Sequence, residues 1–167
     1  VKGPSVMKGY HNQPELTSEV IDKDGWFHTG DIAEIKNGGH IYITGRIKNM
    51  IVLSGGKKVF PEEVENVLGD SPNFAEVCVF GMQRQGGEKE GCEEIVTVIV
   101  PNEDFANKFN NEQELKTAIR AEVKELSNRL ASYKRPVNIM IRREALLKTT
   151  TNKLKRNAIK ELIIQGD

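Results

Sequence analysis

Two lysines enclose a run of hydroxyl and amide side chains near the carboxyl-terminal end, in the sequence KTTTNK from Lys148 to Lys153. An ammonium group at the end of such a loop can stabilise negative charge that develops on phosphate or carboxylate oxygens. If a helix began at Thr151 or Asn152, its unpaired N–H groups would strengthen the attraction for an anion. The alternative is a purely structural loop, in which a hydroxyl caps the helix and the lysines are solvated.

A carboxylate lies at the mouth of the first predicted hairpin, and an arginine and a lysine lie where two predicted hairpins meet. Asp31 closes the sequence GWFHTGD, and Arg46 lies in GRIKN together with Lys48. A carboxylate can accept hydrogen bonds from the neighbouring hydroxyls of a ribose, and an arginine fork can hold ribose or phosphate oxygens. The alternatives are a turn aspartate that accepts local backbone hydrogen bonds and an arginine in a weak surface salt bridge.

A glycine pair separates two short apolar runs in the sequence LSGGKKVFPEEVE. The four residues Ser54, Gly55, Gly56 and Lys57 are predicted to form a turn, at which the missing side chains let a thin ligand approach the backbone. A hairpin turn without any ligand explains the glycines equally well. The spacing and the Gly-Lys-Ser/Thr ending of a P-loop are not found here.

Charge is balanced over the chain but unevenly distributed along it. The 24 basic and 24 acidic side chains give no net charge, which argues against a nucleic-acid coat or a membrane surface. Acids dominate from Glu62 to Glu94, whereas the stretch from Lys134 to Lys160 holds nine Lys and Arg against the single acid Glu144. A local anion site in the second stretch is therefore plausible. Solvated surface side chains are the alternative for most of the nine.

Several further features limit the possible functions. Cys78 and Cys92 lie in apolar runs without cysteine or histidine at metal-ligand spacing, so reduced thiols are predicted. No apolar run approaches the roughly 20 residues of a transmembrane helix, and no signal peptide is recognisable. A cytoplasmic location is predicted, with peripheral membrane association of a longer protein left open. Because the chain begins at Val1 and its first methionine is Met7, it is interpreted as a piece of a longer protein.

Hydrophobic periodicity and turn signals predict a mixture of strands and helices. Residues 1–30 are predicted to be irregular, and 82–91 are predicted to form a mobile loop. The predicted elements are hairpin strands at 31–35 and 40–44, a second hairpin at 50–54 and 58–60, a helix that begins at Pro61, strands at 75–80 and 94–100, a helix over 111–130, a strand at 137–141 and a terminal helix striped by Leu154, Ala158 and Leu162. The β-branched run 94–100 indicates a strand covered on both faces, and the class is α+β.

In their order and spacing, these stretches resemble the carboxyl-terminal part of the adenylate-forming enzymes. That superfamily comprises acyl-CoA and aryl-CoA synthetases, adenylation domains of peptide synthetases and firefly luciferase. The resemblance covers essentially the whole chain and rests on VKGPSVMKGYHNQPELTSEVIDKDGWFHTGD, YITGRIKNMIV, GGKKVFPEEVE, and LASYKRPVNIMI with LLKTTTNKLKR. The chain departs from the family pattern at Leu147 and Asn152, where proline and glycine are usual, and by one extra residue in the Gly55–Gly56 turn.

The resemblance implies a domain plan and a role for each candidate residue. Residues 1–46 would be the tail of the large AMP-binding domain, 47–49 the hinge, and 50–167 the small domain. The small domain is expected to contain a short hairpin and a roughly three-stranded sheet flanked by helices, preceded by a hairpin from the large domain. The implied roles are ribose binding for Asp31 and Arg46, the hinge for Lys48, adenylation for Lys153, and the wall of the CoA tunnel for Ser54, Gly55, Gly56 and Lys57.

The implied reaction has two steps. A carboxylate attacks ATP, which is accompanied by Mg²⁺, to give an acyl adenylate and pyrophosphate, and the thiol of CoA then takes the acyl group. The sequence IKNMIVLSGGKKVFPEEVE is closer to long-chain fatty-acyl-CoA ligases than to peptide synthetases. An aryl-CoA ligase, a peptide-synthetase adenylation domain and a non-catalytic nucleotide-binding module remain alternatives.

The expected partners are the large domain of the same parent chain, a fatty acid, ATP and CoA, with no nucleic acid and no transmembrane segment. The glycine-rich phosphate loop and the acyl pocket of the family belong to the large domain. These 167 residues alone are therefore predicted to be inactive.

Overall fold

The computed structural model describes residues 1–83 and 92–166, so most of the predicted mobile loop at 82–91 lies outside the described residues. Met82 and Gln83, which were assigned to that loop, belong instead to a strand. The chain divides into two compact units, Val1–Lys48 and Asn49–Asp167. They are called the amino-terminal and the carboxyl-terminal unit below.

The amino-terminal unit contains one helix and one hairpin. Helix α1 covers Pro14–Val20, where irregular chain was predicted, and strands β1 and β2 cover Asp31–Lys36 and His40–Arg46. The helix has a sequence signal that the prediction missed, because a proline at its start is followed by an acid in the first turn. The hairpin is confirmed, and its antiparallel register pairs the first residue of β1 with the last residue of β2.

The carboxyl-terminal unit has the predicted α+β class. Its elements are β3 Ile51–Val52, β4 Lys58–Val59, α2 Pro61–Gly69, β5 Phe74–Gln83, β6 Glu93–Pro101, α3 Glu103–Ala106, α4 Glu112–Leu126, β7 Asn138–Ile141 and α5 Arg156–Ile164. The short β3–β4 hairpin and a three-stranded sheet flanked by helices match the predicted architecture. Helix α4 ends four residues earlier than predicted, because a 3₁₀ turn covers Ser127–Arg129.

The sheet has the order β5–β6–β7, with β6 antiparallel to β5 and parallel to β7. Strand β6 alternates between two apolar clusters, as the period of two along a strand requires. Ile95 and Ile99 belong to the cluster that contains residues of α2 and α4. Val96 and Val98 belong to the cluster that contains Ile159 of α5. The prediction that this strand is covered on both faces is confirmed.

The acidic and basic stretches of the sequence neutralise each other within the carboxyl-terminal unit. Three basic residues pair with the acidic stretch: Lys134 with Glu63 at 2.6 Å, Lys148 with Glu76 at 2.5 Å, and Arg156 with Glu65 at 2.7 Å and with Glu62 at 3.4 Å. Arg142 pairs within the basic stretch, with Glu144 at 3.2 Å. Solvated side chains were the alternative for most of the nine basic residues; this does not describe Lys134, Lys148 and Arg156, whereas Lys153 and Lys155 are exposed. For these three residues, the separation of charge along the sequence reflects folding contacts.

Two further observations concern the helices and the cysteines. None of the helices formed by residues 1–83 and 92–166 combines the length and apolarity of a membrane crossing. Cys78 is buried and Cys92 is half-buried, and both are free thiols. Burial, with a contribution from the charge of Glu65, raises the pKa of the Cys78 thiol to about 12, so this cysteine is protonated and unreactive near neutral pH.

Candidate functional site

The segment from Lys148 to Lys153 is a tight hairpin and not the start of a helix. The backbones of Lys148 and Leu154 form an antiparallel β-bridge, and Thr149 N donates to Lys153 O at 2.8 Å. Helix α5 begins only at Arg156. Both earlier interpretations of this stretch, an anion site at a helix N-terminus and a helix cap, are therefore wrong about the geometry, because a two-stranded turn satisfies the backbone groups instead.

Local hydrogen bonds define the shape of this hairpin. Asn152 has a φ of 61°, a left-handed conformation that asparagine tolerates better than most residues, so it can occupy a position where glycine is usual. Thr149 Oγ1 accepts from Lys153 N at 3.1 Å and contacts Thr151 Oγ1 at 2.9 Å. Lys153 itself is exposed, and among the described residues its ammonium has no hydrogen bond or ion pair.

Side chains of the carboxyl-terminal unit hold one arm of the hairpin to strand β5. Glu76, whose side chain is only 12% exposed, accepts from Lys148 Nζ at 2.5 Å. Its second oxygen accepts from Leu146 N at 2.6 Å. One carboxylate of β5 therefore fixes both the backbone and a side chain ahead of the turn, while the turn itself projects into solvent.

Arg156 holds the other arm through a largely buried ion pair. Its guanidinium donates to both oxygens of Glu65, at 2.8 and 2.7 Å, and to Val79 O at 2.8 Å. Burial raises the pKa of Glu65, against the opposing effect of Arg156. Burial also disfavours the charge of Arg156, but the charges of Glu65 and Glu62 outweigh it and raise the pKa of Arg156. Sequence reasoning counted Arg156 only among the basic residues, although the acids at Glu62 and Glu65 lie on one face of α2.

Asp31 and Arg46 come together in the amino-terminal unit, at the open end of the β1–β2 hairpin. Arg46 Nε donates to Asp31 Oδ1 at 2.8 Å, and a second guanidinium nitrogen donates to Thr29 O at 3.4 Å. The Asp31 side chain is 25% exposed and that of Arg46 is 60% exposed. Both groups are thus accessible to a ligand, in the oriented pair that the antiparallel register dictates.

Lys48 is the last residue of the amino-terminal unit and is exposed. It lies in a 3₁₀ turn formed by Ile47–Asn49. The division between the two compact units therefore falls within the segment that the sequence assigned to a hinge.

The turn from Ser54 to Lys57 connects β3 and β4. Gly55 and Gly56 have φ values of 82° and 74°, which glycine adopts without strain. The Lys57 ammonium lies 4.9 Å from the centre of the Tyr133 ring, a cation–π contact that sequence reasoning missed. A small cavity of about 160 Å³ beside the turn is lined by Leu53, Ser54, Cys92, Glu93, Glu94, Ile95, Tyr133 and Val137.

A larger open groove in the carboxyl-terminal unit shares Glu93 and Glu94 with this cavity. It has a volume of about 710 Å³ and is lined by Met82, Gln83, Glu93, Glu94, Lys160, Ile163 and Ile164. None of the candidate residues lines this groove. Among the described residues, no group of three His, Cys, Asp or Glu side chains is placed to hold a metal ion.

Comparisons with known proteins identify relatives over nearly the whole chain. The family described as AMP-binding enzyme C-terminal domain matches residues 63–153. The indoleacetate--CoA ligase of Aromatoleum aromaticum is 36% identical over 98% of this chain and 29% of that protein. The long-chain-fatty-acid--CoA ligase FadD13 of Mycobacterium tuberculosis is 35% identical over 96% of this chain and 28% of that protein.

Solved structures give the same result. ATP-bound MatB from Rhodopseudomonas palustris is 28% identical, with a TM-score of 0.75 over 96% of this chain and 29% of that chain. This chain thus spans less than a third of the length of the relatives it matches. The matched region ends at Lys153, the residue that the hairpin presents to solvent.

Proposed function

This chain belongs to the family of AMP-binding enzyme C-terminal domains, the small domains of adenylate-forming enzymes, and we propose that it acts as part of a CoA ligase. The complete enzyme would join a carboxylic acid to ATP, giving acyl adenylate and pyrophosphate. It would then transfer the acyl group to the thiol of CoA and release AMP. The relatives named above from Aromatoleum aromaticum and Mycobacterium tuberculosis are CoA ligases, which supports this reaction class.

The observation that carries the proposal is the presentation of Lys153. The lysine lies on a turn whose two arms are fixed by Glu76 and Glu65, yet its ammonium remains exposed. In adenylation the carboxylate attacks the α-phosphorus, and negative charge builds on the phosphate and carboxylate oxygens. A cation held in position before the reaction stabilises that charge without reorganisation. Lys153 is proposed to supply this cation.

Asp31 and Arg46 are proposed to bind the ribose of ATP. A carboxylate has about four lone-pair positions, so Asp31 can accept from Arg46 and from ribose hydroxyls together. The 2.8 Å contact with Arg46 fixes the orientation of the carboxylate before the nucleotide arrives. Mg²⁺ is proposed to arrive as the ATP complex, since the ion is commonly held through substrate phosphates.

Lys48 is proposed to be the hinge, a role that the adjacent boundary between the two units supports. Ser54, Gly55, Gly56 and Lys57 are proposed to line the path of the pantetheine arm of CoA. The exposed turn and its open glycine positions support this assignment, since a Cβ built at either glycine would meet no heavy atom of the described residues within 4 Å, its chain neighbours apart.

A fatty acid is the proposed carboxylate, on the strength of the sequence IKNMIVLSGGKKVFPEEVE. An aryl or arylacetic acid is the second candidate, which the 36% identity to the indoleacetate--CoA ligase favours. The complete enzyme is further proposed to be cytoplasmic, with its large domain in the same parent chain. These 167 residues are expected to have no ligase activity by themselves.

Carboxylate-dependent ATP–pyrophosphate exchange in the complete enzyme tests the proposal. Lys153→Ala should lower exchange by about 10²–10³-fold, the effect of removing one preorganised electrostatic contact. Lys155→Ala is the matched control, because it removes an exposed lysine two positions away. Acyl transfer to CoA from preformed acyl adenylate should persist in both variants.

The same assay identifies the acid. Exchange measured with a series of fatty and aromatic acids should be fastest with a fatty acid, and faster exchange with an aromatic acid would select the second candidate. Exchange that is unchanged in Lys153→Ala would overturn the assigned role of the lysine.

A further inference from the structure

A cluster of four side chains connects three separate segments of the carboxyl-terminal unit. It consists of Asn49, Glu62, Glu65 and Arg156, and it is called the Arg156 cluster below. Arg156 follows Lys153 by three residues, and Asn49 directly follows Lys48. The cluster therefore joins the proposed hinge to the hairpin that carries the proposed adenylation lysine.

The guanidinium of Arg156 has a single defined position. One terminal nitrogen donates to both oxygens of Glu65, while Nε donates to Val79 O at 2.8 Å. The side chains of Arg156 and Glu65 are only 17% and 16% exposed. These contacts fix the first residue of α5 against α2 and β5 together, directly after the hairpin.

Glu62 extends these contacts to the hinge side. Its Oε1 accepts from Asn49 Nδ2 at 2.6 Å and lies 3.4 Å from Arg156 Nη1. Its Oε2 is buried and has no hydrogen-bond partner among the described residues. A single carboxylate thus contacts the residue after the hinge and the residue at the start of α5.

Stability alone is a poor explanation for this arrangement. Desolvation offsets much of the attraction in a buried ion pair, and apolar replacements of such pairs are often neutral or stabilising. The apolar cores beside the sheet already supply burial. What the guanidinium adds is a single geometry, because its three nitrogens contact Glu65, Glu62 and Val79 O. An exposed hairpin whose tip has internal hydrogen bonds depends on such geometry at its base.

We propose that Arg156 is a positioning residue for Lys153, and that Glu62 couples this position to Asn49 at the hinge. The inference rests on the proposed function and adds to it the residues that hold the lysine in register. Movement about Lys48 would then carry Lys153 as part of a rigid body. A displacement of the lysine by about 1 Å is enough to cost roughly 10²-fold in rate.

The test uses the complete enzyme and separates its two half-reactions. Arg156→Ala should lower the kcat of carboxylate-dependent ATP–pyrophosphate exchange by about 10- to 100-fold, with the KM for ATP changed less than threefold. Acyl transfer to CoA from preformed acyl adenylate should stay within threefold of wild type. Arg156→Lys, which keeps the charge but loses the fork, should recover only part of the exchange rate.

Arg129→Ala is the matched control. It breaks an arginine–carboxylate pair with Asp70 whose side chains are more than half exposed, at 57% and 55%. Both half-reactions should be unchanged in this variant. If Arg156→Ala does not fold, Arg156→Lys and Glu62→Gln provide the same comparison with a smaller disturbance.

A double variant distinguishes failure of this inference from failure of the proposed function. If Arg156 acts through Lys153, adding Arg156→Ala to Lys153→Ala should lower exchange by less than threefold further. Unchanged exchange in Lys153→Ala alone would overturn the proposed adenylation role of Lys153, and the positioning role of Arg156 with it. Loss in Lys153→Ala but not in Arg156→Ala would overturn only the positioning role. Equal losses in both half-reactions with a lower Tm would also overturn it, because they indicate a merely structural residue.

Discussion

The two units differ in what holds them in shape. In the amino-terminal unit the only buried residue is Gly45, while large apolar side chains such as Ile35, Ile41 and Ile43 are exposed. In the carboxyl-terminal unit two apolar clusters are buried, one beside each face of the sheet. The first unit therefore depends on local hydrogen bonds, and the second on removal of apolar surface from water.

This difference bears on the candidate site. The proposed ribose contacts, Asp31 and Arg46, lie in the unit without a core, whereas Lys153 lies in the unit with one. The exposed isoleucines of the β1–β2 hairpin form a surface of the kind that partners cover. A large domain of the same parent chain, as proposed above, would supply such a cover.

Separation of the units should have the largest effect. A chain of residues 49–167 should unfold cooperatively, because its apolar clusters lie within one unit. A chain of residues 1–48 should show no cooperative transition, since an isolated two-stranded hairpin is marginally stable. Circular dichroism during thermal unfolding measures both. In the whole chain, strong hydrogen-exchange protection throughout 1–30 in a monomer would contradict the expectation that the amino-terminal unit has no cooperative structure of its own.

Truncation of single side chains should sharpen the same contrast. Leu68 of α2 is 0% exposed in the first apolar cluster, and Ile43 of β2 is 70% exposed. Leu68→Ala should lower the free energy of unfolding by about 2–5 kcal/mol, because it leaves a cavity. Ile43→Ala should change it by less than about 0.5 kcal/mol. Urea unfolding of the whole chain provides both values.

Equal destabilisation by these two substitutions would contradict the assignment of the core to one unit. Ile119→Ala is a control for position within the carboxyl-terminal unit, since Ile119 belongs to the same cluster on a different helix. It should resemble Leu68→Ala rather than Ile43→Ala.

The parts of the fold that the sequence predicted have strong local signals. The Asn-Gly turn between alternating runs indicated the β1–β2 hairpin, and Pro61 with two acids indicated the start of α2. The β-branched run of β6 indicated a strand with two covered faces. The Gly55 and Asn152 turns were also predictable, because both positions have positive φ and suit those residue types.

Other features depend on contacts that are distant along the chain. The Lys153 hairpin replaced an expected helix start because Lys148 bridges Leu154 and Glu76 holds its base, and no local rule indicates a carboxylate 72 positions before Lys148. The pair between Glu65 and Arg156 spans 91 positions. The separation of acidic and basic stretches along the sequence was a signal for these ion pairs. The correct interpretation was that the two stretches pair with each other within one unit.

Acid should produce the smallest effect, and in the amino-terminal unit it should act through Asp22. A hydrogen bond from the backbone N–H of Trp26 lowers the pKa of Asp22 below its ordinary 3.8, and desolvation opposes this effect. The backbone N–H of Asp24 and the side chain of His28 lower the pKa further. A carboxyl with a lowered pKa stabilises the folded turn above its ordinary pKa, and the contribution is lost as pH falls through the lower value. Fluorescence of Trp26, the single tryptophan of the chain, should therefore change in that acidic range.

Two variants decide whether Asp22 is responsible for that change. Asp22→Asn should remove the acid transition, because an amide does not titrate, whereas Asp24→Asn should retain it, since Asp24 contributes its backbone N–H rather than its side chain. A transition that persists in Asp22→Asn would mean that acid acts on Trp26 through another group. A fluorescence change that coincides with loss of the helical signal of the carboxyl-terminal unit would mean that the two units respond together. Independent responses would support the contrast between a unit ordered by local hydrogen bonds and a unit ordered by burial.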